Sequence, residues 1–459
     1  PYTTPRDAPF VWIRGRQAGG RTHTFGRVLL RWTDDDFKAL SRNGRGADWP
    51  ISYADLEPYY DEVETCLGLY GNADNVESLP DGKYKAPAKL SPAEEQFKQA
   101  VETRWPERHV VAWRSIAPEP SRVLRPMQEA KATGNLTIRY NAIARRVLTD
   151  GQRATGVEVI DALTGASETL GAEHIVVCAS PIESVRLLLN SRSADHPDGL
   201  GNSSGHLGRY FMDQVPMLGF GIYPPARGGW TGDDSQPKDP FYDPSGGIFI
   251  PRFDATGNPS ARGEFDFQGG IGRGGSPDAP ASLLFFGFGQ MLPHADNRVS
   301  LDPGRKDRWG IPVPHIRCKM HAEEQDLLAR QEAAFLETIN GAGGHVEFLG
   351  SPNGIREWGR GAYPEADPVS RFLFKRFFSQ VMVMGAAIHE AGGARMGTDP
   401  ANSVLNQWGQ CWDAPNVWVT DASAFATGGV SGTTLTIMAQ TVRACRKLAS
   451  ENRLSLIHI

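Results

Sequence analysis

The stretch from His389 to Arg446 constrains this chain more than any other. It reads His389-Glu-Ala-Gly-Gly-Ala-Arg395-Met396-Gly397, then Val419-Thr-Asp421-Ala422-Ser423, then Thr433-Thr434-Leu-Thr436-Ile-Met-Ala439. An apolar strand runs into an acid, glycine-rich turns bring backbone close to something, and a helix opens on hydroxyls. Such a pattern suits a site where a strand end and a helix N-terminus converge on a ligand. The free N–H groups of a helix start favour negative charge there. His389 supplies a possible base.

The rest of the composition sets bounds. The chain has 459 residues, enough for two domains with real cores. Hydrophobic residues make up 40% and charged residues 22%, an ordinary globular balance. The formal net charge of −5 gives no nucleic-acid footprint, so no nucleic-acid partner is expected. No apolar run approaches the roughly 18 residues of a membrane span. The 51 glycines and 33 prolines suit a fold with many tight turns and close backbone approach to a ligand. Five cysteines, at 66, 178, 318, 411 and 445, form no CxxC, so neither a metal cluster nor a disulfide framework is expected. Cys178 ends an apolar run and reads as a small buried hydrophobe. Nothing here fixes a compartment, cytoplasmic or periplasmic.

Along the chain, residues 11–32 are glycine-rich and aromatic without clean periodicity, which predicts a loop. Ser52 caps a predicted helix through Leu56, Tyr59, Val63 and Leu67. A second helix is expected from Pro92 to Trp105. Strands are expected at Leu136–Tyr140, Ala144–Leu148 and Gly156–Ile160, and a buried strand at Glu173–Ala179. Pro181 opens a helix carrying Ile182, Val185, Leu188 and Leu189. Residues 215–316 read as a mixed or antiparallel sheet, followed by a long amphipathic helix over 323–341. Strand 417–420 and helix 434–449 close the pattern.

Three sequence patterns bear on chemistry. The lone G-x-G-x-x-G match, Gly270-Ile-Gly272-Arg-Gly-Gly275, is followed by Ser-Pro-Asp-Ala-Pro, which cannot open the helix a dinucleotide fold requires. It reads as a product of high glycine content. His389 begins HExxG rather than HExxH, so a zinc-protease reading lacks its second ligand and no metal site is expected. Thr433 and Thr434 read equally as helix N-caps and as ligand contacts.

These motifs resemble the C-terminal signature of the glucose–methanol–choline (GMC) oxidoreductases. Trp12–Arg27 is similar to that family's flavin-facing loop, and Asp48–Tyr53 to the stretch after it. The resemblance covers most of residues 10–450 and leans toward the bacterial sugar/gluconate dehydrogenase-like branch. It implies FAD contacts at Gly19, Gly20, Arg21, Thr22, Ala144, Ala179, Asp421, Ala422, Thr433 and Thr434, with Glu183 as a weaker carry-over. It implies that His389 takes the hydroxyl proton of an alcohol near flavin N5. Relatives that attach FAD covalently carry histidine at the position of Thr24, and here His23 lies one place early, so non-covalent FAD is expected. The family's usual Asn or His before the last helix is replaced by Gly432, leaving Ser431 or Thr433 to substitute, or His389 to act alone.

The expected fold is the α/β, α+β overall, two-domain GMC architecture. It pairs an FAD-binding Rossmann-like domain, whose first βαβ segment is expected to be missing here, with a substrate domain built on a mixed or antiparallel sheet. The expected division is 1–32 flavin-facing loop, 33–130 helical part of the substrate domain, 131–213 FAD segment, 214–394 substrate domain and 395–453 FAD segment. The hexapeptide 454–459 is read as adapter-derived and set apart from the fold. The expected activity is FAD-dependent oxidation of a CH–OH group on a sugar, sugar acid or glycoside. The alternative is a non-catalytic flavin-binding relative, suggested by Gly432. The electron acceptor (oxygen, a quinone or a cytochrome subunit) is left open.

Overall fold

The computed structural model describes residues 1–117, 125–232, 246–253, 263–358 and 367–451. The hexapeptide 454–459 lies outside the described residues. Two hydrophobic cores organise the rest.

The first core gathers around a short parallel pair. Strand Ile175–Val177 lies beside strand Val417–Val419, with Val417 opposite Ile175. Helix Pro181–Asn190 follows the first of these strands and buries Ile182, Val185, Leu188 and Leu189, as its spacing predicts. Helices Tyr53–Leu67 and Thr434–Glu451 pack together, joined by a bond between the Tyr60 hydroxyl and Thr436 Oγ1 at 2.8 Å. The inward register of the first of these helices is Leu56, Tyr60, Val63 and Glu64. Tyr60 therefore points in where Tyr59 was expected, and Glu64 is buried because Arg31 pairs with it. A three-stranded antiparallel meander, Ala142–Asp150, Arg153–Asp161 and Ser167–Gly171, flanks this core.

The second core lies under a seven-stranded sheet whose neighbours are all antiparallel. Its order is Val111–Ala112, Ile248–Ile250, Phe265–Ile271, Pro280–Gly289, Val215–Arg227, His345–Ser351 and Gly354–Trp358. Alternation along Pro280–Gly289 turns Leu283 and Phe285 to one face, and Leu284, Phe286 and Phe288 to the other. The first face is covered by helices Ala322–Gly341 and Pro92–Arg104. Phe335 lies 5.8 Å from Phe285, and Phe97 lies 5.7 Å from Tyr223, centroid to centroid. Each such buried ring contributes on the order of 2 kcal/mol. The second face looks toward His389.

Two expectations change. Leu136–Tyr140 forms no strand; Leu136, Ile138 and Tyr140 are exposed on a cavity wall with no neighbour to pair with. Cys178 is exposed rather than buried, because the strand before it has an open side on which Val176 is also exposed. The five cysteines are all free. The Gly270–Gly275 match runs off the end of strand Phe265–Ile271 into a turn before the next antiparallel strand, so no helix follows it. Among the described residues no helix is long and apolar enough to cross a membrane.

Candidate active site

The C-terminal motifs meet through their backbones. Gly392, Ala394 and Met396 donate N–H bonds of 2.8–2.9 Å to the carbonyls of Ala422, Ser423 and Ala424. Ala391 and Met212 exchange a pair of bonds on the opposite side. Gly392 sits between them at φ +75°, and a Cβ there would lie 2.1 Å from the Tyr210 carbonyl oxygen. Glycine is required at this position by both conformation and space.

His389 is held from behind by a residue pair that sequence reasoning missed. Its backbone N–H donates to Asp213 Oδ1 at 3.0 Å, and Asp213 Oδ2 accepts from Gly385 N at 2.8 Å. Ile388, between them, has φ +62°, a costly conformation for a β-branched residue. Its carbonyl accepts from Arg21 Nη1 at 3.1 Å. Arg21 also forms a two-pronged pair with the buried Glu390, at 2.8 and 2.9 Å. Arg21 thus braces the strained turn beneath the histidine.

Gln214 sets the chemistry of the ring. His389 Nδ1 lies 2.5 Å from Gln214 Oε1. The amide nitrogen of Gln214 meets the carbonyls of Gly429, Val430 and Ser431 at 2.8, 2.6 and 3.0 Å. Carbonyls only accept, so the nitrogen must face them and the oxygen must face the ring. Nδ1 therefore carries the proton, and Nε2 presents a lone pair. The Phe288 ring packs 4.9 Å from the imidazole. Burial, and secondarily the Arg21 charge, pushes the His389 pKa down to about 4. The expected near-neutral base is thus a neutral imidazole well below pH 7. Burial, with Glu390 nearby, pushes Asp213 up to about 7.

Gly432 faces this ring. A Cβ built on it would lie 3.9 Å from both Cε1 and Nε2 of His389. The Ser431 hydroxyl is turned toward the buried Asp266, whose carboxyl is held well above its ordinary value by burial. Neither Asp266 oxygen closes a hydrogen bond of ordinary geometry. Thr433 is buried, and its carbonyl accepts from Ile437 N. No side chain from 431–433 hydrogen-bonds to the imidazole among the described residues.

A cavity of about 1480 Å³ is lined by two of the residues expected at the cofactor, while Gly20, Arg21, Ala144, Ala179, Asp421, Ala422, Thr433 and Thr434 are not in its lining. Gly19 and Thr22 line it, with Ala142 and Ile143 beside Ala144, and Ile437, Met438 and Thr441 from the last helix. Gly19 and Gly20 adopt φ +88° and +53°, so this loop exposes backbone that side-chain-bearing residues would not present. The size exceeds an ordinary ligand pocket of about 300–1,000 Å³ and leaves room for a dinucleotide. Ala144 and Ala179 are exposed. Asp421 is buried and occupied: it accepts from the Ser184 hydroxyl, from Ser423 N at 2.9 Å and from Ser423 Oγ at 2.6 Å. Ser184 in turn accepts from Ala179 N at 3.0 Å. Asp421 thus joins the two parallel strand ends. Glu183 pairs with Arg14, Arg16 and Arg186. His23 turns its Nε2 to Ala18 O at 2.6 Å, within its own loop.

Asp213, Gln214, Phe288 and Glu390 were not singled out from sequence. Asp213 and Gln214 precede a strand with no pattern of their own. Glu390, beside His389, is recognisable only through Arg21.

The GMC oxidoreductase family description matches residues 3–215 and 293–441. The 2-methyl-1,2-propanediol dehydrogenase of Mycolicibacterium austroafricanum is 28% identical over 93% of this chain and 79% of its own length. The fructose dehydrogenase large subunit of Gluconobacter japonicus is 24% identical over 94% of this chain and 80% of its own. The crystal structure of pyridoxine 4-oxidase from Mesorbium loti superposes with a TM-score of 0.62 at 18% identity, covering 96% of this chain and 85% of that one, which shows a shared fold. Matched in both its N- and C-terminal parts, the chain belongs to the GMC oxidoreductase family, whose cofactor is FAD.

Proposed function

We propose that this chain oxidises a CH–OH group of a sugar or related polyol, with His389 as the base. The observation that carries the reading is the fixed tautomer: Gln214 holds the proton on Nδ1 and leaves Nε2 free beside Gly432. FAD, when bound, supplies the hydride acceptor. The chain's own residues do the rest. Nε2 accepts the hydroxyl proton, and Gln214 Oε1 stabilises the imidazolium so formed through Nδ1–H. Phe288 shields one side of the ring from water. Arg21, Asp213 and Glu390 keep the turn in place.

Polyol and sugar substrates are supported by the relatives named for a propanediol and for fructose. Gly19, Thr22 and the Ile437–Thr441 face would hold FAD in the large cavity, and we assign Ala144, Ala179, Ala422, Thr433 and Thr434 to its margins. Non-covalent attachment is supported by Thr24 in place of histidine and by the inward turn of His23.

The test is anaerobic reduction of the purified flavoprotein by a panel of sugars and polyols, followed in the visible spectrum. Bleaching by at least one of them, slowed about 10²-fold or more in His389→Ala, is expected. A yellow protein that no member bleaches would move the reading to a non-catalytic flavin carrier. Acid precipitation should release the colour, and colour retained on the protein would overturn the non-covalent assignment.

A further inference from the structure

We propose that His294, His321 and Glu324 form a binding site for a divalent transition-metal cation, best matched by Zn²⁺. The three come from two segments, the loop after strand Pro280–Gly289 and the start of helix Ala322–Gly341. One ligand atom from each lies within 4.8 Å of the others. His294 Nε2 and His321 Nδ1 lie 3.3 and 3.9 Å from the same Glu324 oxygen, Oε2. Ligands of a tetrahedral Zn²⁺ with bonds of about 2.0–2.1 Å lie about 3.4 Å apart. The two observed separations bracket that value, so small side-chain rotations suffice.

The second observation is an unsatisfied acceptor. His321 Nε2 is bonded to Asp296 Oδ1 at 3.0 Å, which places its proton there and leaves Nδ1 as a lone pair. That Nδ1 is buried and has no hydrogen-bond partner. The Glu324 backbone N–H approaches it as in a capping box without closing a bond. A buried lone pair facing a carboxylate is repulsive unless a cation lies between them. A carboxylate on the far ring nitrogen is the usual support of a metal-binding histidine, since it fixes the tautomer and raises ligand basicity. Two imidazoles and one carboxylate suit Zn²⁺ better than the oxygen-seeking Ca²⁺ or Mg²⁺.

The rings of His294 and His321 lie nearly parallel, with centroids 3.7 Å apart, and both histidines are half-buried, so an ion can reach them from solvent. Lys319 Nζ lies 3.6 Å from the other Asp296 oxygen and neutralises part of its charge. Glu324 is already fixed, because its oxygens accept from Leu292 N at 3.0 Å and His321 N at 2.8 Å. The site is therefore preorganised around Glu324. It needs no flavin and is independent of the proposed activity.

The test is calorimetric titration of the chelator-treated full chain with Zn²⁺, paired with a thermal melt. One equivalent bound at micromolar Kd or tighter is expected, with a raised Tm. His294→Gln and His321→Gln should each weaken binding at least tenfold. Asp296→Asn, which alters only a half-exposed side chain, should also weaken it. Absence of stoichiometric binding to the native chain overturns the proposal. So does unchanged binding in a folded double variant carrying H294Q and H321Q.

Discussion

His389 Nδ1 lies 2.5 Å from Gln214 Oε1, and three carbonyls on the other side of Gln214 prevent its amide from being reversed. The general base of this site is therefore set by a residue 175 positions away in sequence. Gln214→Leu removes both functions: the ring loses its acceptor, and three carbonyls lose their donor. A fall of about 10–100-fold in the flavin reduction rate is expected, with substrate affinity changed less. Gln214→Glu places a carboxylate against Nδ1–H and stabilises the imidazolium. Its signature is an acid limb of the pH–rate profile displaced to higher pH. An unmoved limb in Gln214→Glu would remove Gln214 from the mechanism.

The native acid limb is itself informative. With the His389 pKa near 4, the base is already deprotonated at pH 5. The rate of flavin reduction should therefore hold its plateau through pH 6.5, where an ordinary histidine is half protonated. A limb centred on 6.5 would show that the imidazole is more hydrated in the working enzyme than its packing implies.

Gly432 offers a gain-of-function experiment. Its Cβ position makes only ordinary van der Waals contact, at 3.9 Å from the imidazole, and its backbone is not left-handed. Gly432→Asn should fold with an unchanged Tm and place a polar group beside Nε2. If the base works alone in this chain, the added donor should speed flavin reduction severalfold. A slower variant with intact folding would indicate that substrate occupies the space the glycine leaves.

Much of this was legible in sequence, and the gaps have physical causes. Helices Pro181–Asn190 and Ala322–Gly341 announce themselves because each buries one periodic stripe. The C-terminal motif was legible because its glycines and acid serve local geometry, as Gly392 and Asp421 do. The expected strand at Leu136–Tyr140 did not form because alternation records a half-buried face only where a partner strand exists. Gln214 was illegible because its role depends on contacts to Gly429, Val430 and Ser431, which no local pattern encodes. The His294–His321 pair escaped for the same reason, its spacing matching no linear metal motif.

Two glycines with similar backbones should respond differently to alanine. Gly44 caps a short helix at φ +70° with nothing within 4 Å of its Cβ direction, so Gly44→Ala should cost about 1 kcal/mol from conformation alone. Gly392, at φ +75°, adds a 2.1 Å approach to a carbonyl oxygen that belongs to backbone. Gly392→Ala should cost about 3 kcal/mol or more and lose activity, because His389 lies three residues away. Equal Tm losses in the two variants would mean that the Tyr210 segment yields freely.

Asp213 and His389 make opposed contributions to the pH dependence of stability. The folded pKa of His389 is depressed from 6.5 to about 4, so its contribution is full above pH 6.5 and is lost as pH falls toward 4. The folded pKa of Asp213 is raised from 3.8 to about 7, so its contribution is full below 3.8 and is lost as pH rises toward 7. Between pH 4 and 6.5 the two slopes have opposite signs and offset each other. Denaturant titrations at pH 4.5, 5.5 and 6.5 separate them when each variant is compared with the native chain. Replacing His389 by Ala removes the rising slope, so the variant's stability relative to native should fall as pH increases. Replacing Asp213 by Asn removes the falling slope, so its relative stability should rise over the same range. Parallel curves for the native chain and both variants would show that neither group is as desolvated in solution as the packing around Gln214 requires.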